Sequence, residues 1–495
     1  MVNEKMLKKQ TGTSKKIILK GGKVYTKNGF LKKDVLMDAG KIQAVEDVIE
    51  APSDCQTFDA QNCVAVPGFV DLHTHLRQPG DELSETVLTA ARAAASGGYT
   101  SLAAMANTDP PTDHPSAVLY LKSLTESVPI EINIAGTITK GRRGEELSPL
   151  AELASLGVRI FTDDGNGVQD GKLMRQALLY AKNLGIVLAQ HLEDEHYALG
   201  GCVNEGSVSA TLGLPARSHL AEEIMLGRDI ALVKDTGARM HFMHISSAGS
   251  VPLLQEAKAA GLPVTAEVTP HHLSLSESLI YSFDPVYKVH PPLRTKADIE
   301  ALRNAFYTGV LDILATDHAP HTSDRKEQPM DTASPGMLGL QTAFSVAYAA
   351  TCLGAEPLGF SDLGKVTDWT NRELQETCYD SLGNNAGAIS GKAPSGQDID
   401  YRDAKILNDC FMNLINKMSV APAGILGSGS QGSAILPGVT ANVCVIDLLS
   451  DYVFTKRDIV SKSWNSPFTN IKLPGVIRHT FSDGVPVLAD GELLF

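Results

Sequence analysis

The stretch "VPGFVDLHTH", residues 66–75, runs from an apolar segment straight into two imidazoles, His73 and His75. On an extended backbone residues two apart project to the same side, so both rings would leave a strand end toward one point. Seven further short apolar runs follow the same plan: "TSLAAMA" from Thr100, "EINIAGTI" from Glu131, "GVRIFTD" from Gly157, "IVLAQHL" from Ile186, "RMHFMHI" from Arg239, "PVTAEVT" from Pro263 and "LDILATD" from Leu311. Longer Ala/Leu-rich stretches lie between them, and two, "KLMRQALLYAKNLG" and "SVPLLQEAKAAG", close on a Gly suited to a left-handed helix end. Eight alternating units predict an α/β fold, a (β/α)8 (TIM) barrel whose chemistry gathers at the C-terminal ends of its strands.

On either side of the barrel the pattern changes. "KKIILKGGKVYTKNGFLKKDVLMDAGKIQAVED" alternates β-branched with polar residues and carries Asn-Gly and Ala-Gly turn signals, and the tail from "TANVCVIDLL" onward reads likewise. The two ends are therefore expected to join into one small flanking β-sandwich domain, from residues 1–66 and 431–495, beside a catalytic barrel over 67–430. Within the barrel span, residues 361–420 are rich in Asn, Gly, Ser and Asp and read as a long, mobile surface excursion.

Composition narrows the function. With 43 basic against 57 acidic residues the net charge is -14, and no basic stripe interleaved with aromatics is present, so nucleic acid is not an expected partner. Seven cysteines without CxxC spacing argue against both a disulfide framework and a thiolate zinc site. The uncharged stretch from Thr332 to Gly354 is long enough to span a bilayer, but its Ala, Ser, Thr and Gly content reads as a helix buried in protein. The basic start has no apolar segment behind it, so a cytoplasmic protein without a membrane segment is expected.

Polar residues now fall at the strand ends. His73 and His75 follow the first strand, Asp163 and Asp164 the fourth, His191 the fifth, His244 the sixth and Asp317 the eighth. Imidazole nitrogens and carboxylate oxygens suit zinc or a similar divalent ion, and their number exceeds what one tetrahedral ion with an open site would use. Two ions sharing a carboxylate account for the surplus, with a single ion as the alternative. Two ions close together lower the pKa of a water between them, giving hydroxide near neutral pH. Arg77 follows the His pair by two residues on the same face, placed to hold a carboxylate or to form a rim salt bridge.

At these residues the sequence resembles the amidohydrolase superfamily, and within it the bacterial dihydroorotases of the long type. The resemblance runs from about Ile17 to Leu488 through "PGFVDLHTHLRQPG", "MANTDPPTD", "FTDDGNGVQD", "HLEDE", "HISSAGS", "AEVTPHHL", "PPLRTKAD", "ATDHAPHT" and "NSPF". It implies reversible ring closure of N-carbamoyl-L-aspartate to L-dihydroorotate with loss of water, a step of pyrimidine synthesis. It also implies that His73, His75 and Asp317 hold one zinc ion and His191 and His244 a second. Asp164 would bridge the ions, with Asp163 as a supporting neighbour. Asp317 would be the catalytic proton carrier. Arg77, Asn107 and His321 would meet the substrate carboxylate, although Asn107 also reads as a turn residue. His290 in "KVHPPLR" stands where the family commonly has Asn and would face the substrate ring, and Leu192 stands where it often has Cys.

The remaining histidines are expected to do less. His271, His272 and His318 read as supporting or packing residues, and His114, His196, His219, His241 and His479 as satisfied or solvated ones. Hydantoinases, dihydropyrimidinases and allantoinase-like enzymes are the runner-up reading, but such relatives usually carry a carboxylated lysine on strand four, and "VRIFTDDG" has none. A non-catalytic scaffold for aspartate transcarbamoylase is the second alternative. Beyond a small-molecule substrate, the expected partners are further copies of the chain and that transcarbamoylase.

Overall fold

The structure, a computed structural model, describes residues 16–198, 200–364, 367–383 and 403–495. Eight parallel strands lie where the apolar runs place them: β1 (Phe69–Thr74), β2 (Tyr99–Ala104), β3 (Glu131–Ile134), β4 (Ile160–Phe161), β5 (Val187–Gln190), β6 (Met240–Phe242), β7 (Val264–Val268) and β8 (Ile313–Leu314). They hydrogen-bond in two arcs, β1–β2–β3 and β4 to β8 in order. Single bridges close both seams, Gly136 to Phe161 and Thr74 to His318, so the ladder is thinnest beside β4 and β1. Asp71 reinforces the second seam. Buried on β1, its carboxylate accepts from the backbone N–H and hydroxyl of Thr316 beyond β8, from the Thr74 hydroxyl and from the His73 N–H.

The barrel interior is filled rather than hollow. Val70, Leu72, Ala103, Ile160, Ala189 and Ile313 meet there, all buried, with small alanines relieving crowding where opposed strands converge. Helices over Val87–Ser96, Gly171–Leu184, Ser250–Ala259 and Lys296–Thr308 surround it. Gly185 ends the second of these at φ 66°, the left-handed position its sequence predicts.

The excursion expected over 361–420 is corrected by the structure. Residues 384–402 lie outside the described residues. On either side of them the chain forms helices Arg372–Ser381 and Ala404–Ile415, a short π-helical turn over Asn416–Val420 and a helix over Ala421–Leu426. Leu407, Cys410, Phe411, Leu414 and Ile415 recur at helical spacing and are buried. The chain then runs beneath the barrel. Ser419 donates to the Gly68 carbonyl at 2.8 Å and Lys417 to the Leu311 carbonyl, both just before strands, while Ala423, Ile425 and Leu426 plug the N-terminal end. Polar composition masked this apolar stripe.

The flanking domain joins both termini, as expected. Strands Lys16–Thr26, Gly29–Asp38 and Lys41–Glu46 form the N-terminal hairpins. Val64–Pro67 then pairs antiparallel with Val443–Val453, knitting the ends into one hydrogen-bonded network of ten strands. The uncharged stretch around residue 343 is a nine-residue helix, Ala343–Thr351, buried along its whole length, and among the described residues no helix is long and apolar enough to cross a membrane.

Phe411 touches the rings of Phe30, Phe344 and Tyr348, so it links the flanking domain, a barrel helix and the segment beneath the barrel. Phe411→Ala is expected to cost about 3–5 kcal/mol, read as a lowered urea midpoint. An exposed excursion would lose only about 0.5 kcal/mol.

Candidate metal centre at the barrel mouth

The expected ligands converge beyond the strand ends, all buried. His75 Nε2 lies 3.1 Å from Asp317 Oδ1, and His73 Nε2 lies 3.4 Å from the same oxygen. Asp164 reaches all four imidazoles: its Oδ1 is 3.5 Å from His73 Nε2, 3.4 Å from His191 Nδ1 and 3.8 Å from His244 Nε2, and its Oδ2 is 3.5 Å from His75 Nε2. Two sets of donor atoms cluster tightly enough to hold an ion, His73–His75–Asp317 and His73–Asp164–His244. His191 stands at the edge of the second, with its Nδ1 2.8 Å from His244 Nε2.

The adjacent acids separate cleanly. Asp163 turns away and accepts from the Ile138 and Thr139 N–H groups at 2.8 and 3.1 Å, and from the Thr139 hydroxyl. It braces the loop after β3, while Asp164 alone faces the histidines. Burial opposes charge on Asp164 and Asp317, yet His73 and the other imidazoles hold both carboxyls below the usual range, Asp164 well below it.

The donor set fits a divalent cation. His73 Nε2 is buried with no hydrogen-bond partner while two carboxylates face it. Its other nitrogen, Nδ1, lies 2.6 Å from Glu267 Oε1. An unpartnered imidazole nitrogen between carboxylate oxygens is the surrounding that a zinc-like ion satisfies.

Backbone geometry aims these groups. Arg77, His244 and Asp317 have φ of 61°, 34° and 47°, in the left-handed region that non-glycine residues seldom occupy. Glu222 pins the loop after β6 by accepting from the Ser246 and Ser247 N–H groups and from the Ser250 hydroxyl. Neither Glu222 nor Glu267 stands out in the sequence: one lies in a helix, the other inside a strand, and only tertiary contact reveals their partners.

The substrate-facing candidates line one side of the mouth. Asn107 Oδ1 is 3.0 Å from His75 Nδ1, so it orients that ring and keeps its amide nitrogen for another acceptor. Arg77 Nε donates to the Pro320 carbonyl at 3.0 Å, and its Nη2 lies 3.3 Å from His321 Nε2. Among the described residues no carboxylate sits within ion-pair distance of Arg77, which disfavours the rim salt bridge. His321 Nδ1 is buried without a partner, as is His290 Nε2. Burial presses His321 down to about 2, helped by Arg77 and Lys326, and His290 well below its ordinary value, helped by Arg217 and Lys288. Lys326, missed in the sequence, is buried with its Nζ on the Lys288 and Ser334 carbonyls. Burial presses Lys326 down to about 7, helped by Lys288.

The supporting histidines fall as read. His272 bonds Thr269 and the Pro291 carbonyl, His241 bonds Thr265 and Glu267, and His318 turns toward Glu85. His271 is buried with Nε2 unpartnered.

Comparison with known proteins supplies the family. Residues 62–250 match the family model described as dihydro-orotase-like. Over 95% of its length the chain is 38% identical to the dihydroorotase of Thermoanaerobacter sp. (strain X514), covering 96% of that protein. It is also 38% identical to that of Streptomyces coelicolor, over 97% of this chain and 99% of the relative. This chain belongs to the dihydroorotase family. Its fold is shared with the L-hydantoinase (dihydropyrimidinase) of Arthrobacter aurescens, at a TM-score of 0.76 and 21% identity over 97% of each chain. The dihydropyrimidinase of Brevibacillus agri superposes with a TM-score of 0.74 at 20% identity, over 97% of this chain and 96% of that one. As a dihydroorotase-family protein with this fold it is a hydrolase-type enzyme of the amidohydrolase kind.

Burial presses His271 down to about 4, so in the folded protein it stays neutral where the unfolded chain takes up a proton below about 6.5. The unfolded state then binds more protons, and stability is lost as pH falls from 6.5 toward 4. In metal-free protein, His271→Asn is expected to remove up to about 2 kcal/mol of the loss between pH 7.5 and 5. Urea midpoints of the two proteins check this, and curves falling in parallel would contradict it.

Proposed function

We propose that this chain interconverts N-carbamoyl-L-aspartate and L-dihydroorotate with zinc at the barrel mouth, His73, His75 and Asp317 holding one ion, His191 and His244 a second, and Asp164 lying between them. The observation that carries the reading is the placement of Asp164 among four imidazoles, in a chain 38% identical to a dihydroorotase across 95% of its length. When bound, zinc supplies the Lewis acidity that makes water a nucleophile near neutral pH.

The chain's own residues supply the rest. Asp317, kept ionised beside His73 and His75, takes the proton of the attacking water during ring opening and returns it to the departing amide nitrogen; ring closure reverses the transfer. Arg77 and Asn107, the latter through its amide nitrogen, hold the free carboxylate of the substrate and so orient the reacting amide, with His321, its Nε2 given to the Pro335 carbonyl, beside Arg77. His290 Nε2 meets the ring. The Arg77 guanidinium, with no carboxylate within ion-pair distance among the described residues, suits an anionic substrate.

Two other readings are weaker. The chain after strand β4 carries Asp163 and Asp164 and no lysine, which weighs against hydrolysis of hydantoins or dihydropyrimidines, and the hydantoinase neighbours share the fold at low identity. The retained cluster weighs against a scaffold without activity. With the proposed activity go a cytoplasmic setting, self-association, association with aspartate transcarbamoylase, and the domain division 1–66, 67–430 and 431–495. The family resemblance is the ground for the association with aspartate transcarbamoylase and the strand pairing for the domain division.

Assay with added zinc against dihydroorotate, hydantoin and dihydrouracil is expected to give kcat/KM at least about 100-fold higher for dihydroorotate, the preference a site built around a fixed carboxylate contact provides. Preference for either other ring would overturn the assignment, and inactivity on all three with tight transcarbamoylase binding would favour the scaffold. Two substitutions separate the roles. Asp317→Asn is expected to keep the fold and most of the metal while lowering kcat by roughly 100-fold or more; Arg77→Ala is expected to raise KM with a smaller change in kcat. Steady-state kinetics with metal analysis checks both.

A further inference from the structure

Strand β7 contributes none of the expected ligands, yet it carries a carboxylate that bonds two of the histidines expected to ligate and a third behind them. Glu267 is fully buried. Its Oε1 lies 2.6 Å from His73 Nδ1 and accepts from the His244 N–H at 3.1 Å, while its Oε2 lies 3.0 Å from His241 Nε2. His241 is fixed in turn by the Thr265 hydroxyl, 2.8 Å from its Nδ1. One carboxylate therefore grips β1, β6 and β7 together beneath the mouth.

Two consequences follow for the groups above it. In the neutral ring that ligates a metal, a carboxylate on Nδ1 keeps the proton of His73 there and leaves the lone pair on Nε2, the unpartnered nitrogen facing Asp164 and Asp317. His73 is common to both candidate donor sets, so its tautomer matters to each. The bond to the His244 N–H holds that residue at φ 34°, a backbone conformation it would otherwise leave, and so aims the ring of His244 at Asp164.

We propose that Glu267 is the positioning residue of the metal centre: acting through His73 and the backbone of His244, it sets how tightly the barrel mouth retains divalent cations. The inference rests on the proposal that the cluster holds zinc. A carboxylate behind a ligating imidazole fixes its orientation and raises its basicity, and loss of such partners typically weakens metal binding roughly 10- to 100-fold.

The test is competition for zinc between the full-length protein and a chromophoric chelator, with circular dichroism to confirm folding and the visible spectrum of cobalt-substituted protein as a second readout. Glu267→Gln keeps the shape and loses the charge. It is expected to raise the zinc Kd by roughly 10- to 100-fold and to shift the cobalt bands, changes that a merely structural role would not produce in a folded variant. A folded Glu267→Gln that binds zinc within twofold of wild type would overturn the proposal. Should that variant not fold, His241→Gln, which frees Oε2 from the far side, is expected to weaken zinc binding about threefold or more; unchanged affinity there would overturn it equally. Wild-type protein that retains no divalent cation would instead sink the metal reading itself, and this proposal with it.

Discussion

Two buried carboxylates and four buried imidazoles, each ring with a nitrogen within 4 Å of an oxygen of Asp164 or Asp317, form the constraint around which the rest of the barrel is arranged. Neither set tolerates burial alone. Asp164 and Asp317 without cationic or metal partners would carry a large desolvation cost, and the imidazoles without carboxylates would have no reason to face one another. Their mutual compensation lets six polar side chains share the mouth of a barrel whose interior is otherwise filled by Val70, Leu72, Ile160 and Ile313.

Holding that cluster requires backbone that a barrel does not supply by default. His73 still lies within β1, but Asp164 and Asp317 sit three residues beyond β4 and β8, in loops. Buried acids replace the missing ladder. Asp71 ties β1 to the segment carrying Asp317, Asp163 braces the loop that precedes Asp164 in space, Glu222 pins the turn after His244, and Glu267 gathers His73, His241 and His244 from below. Each is a carboxylate saturated by N–H and O–H donors, a rigid anchor when fully satisfied. The left-handed backbones of Arg77, His244 and Asp317 persist because these anchors surround them.

The opposite end of the barrel is closed by a different part of the chain. The segment over 404–426, polar enough in its neighbourhood to read as an excursion, buries an apolar helical stripe and a buried lysine beneath the strands. The division of labour is that of the barrel fold: packing at the N-terminal end, chemistry at the C-terminal end.

The sequence by itself determined the eight strands, the pairing of the two termini and the identity of the clustered residues. Strand periodicity, turn chemistry and polar residues placed just after apolar runs are local signals, and each can be read within about ten residues. Tertiary structure alone decided which donors turn Asp163 away from the histidines, that Asn107 orients His75, that residues 404–426 lie under the barrel, and that Glu222, Glu267 and Lys326 belong to the site's surroundings. Those outcomes depend on distances between residues far apart in the chain, such as the 194 positions separating His73 from Glu267. A buried carboxylate looks the same in sequence as a solvated one until the fold shows which donors surround it.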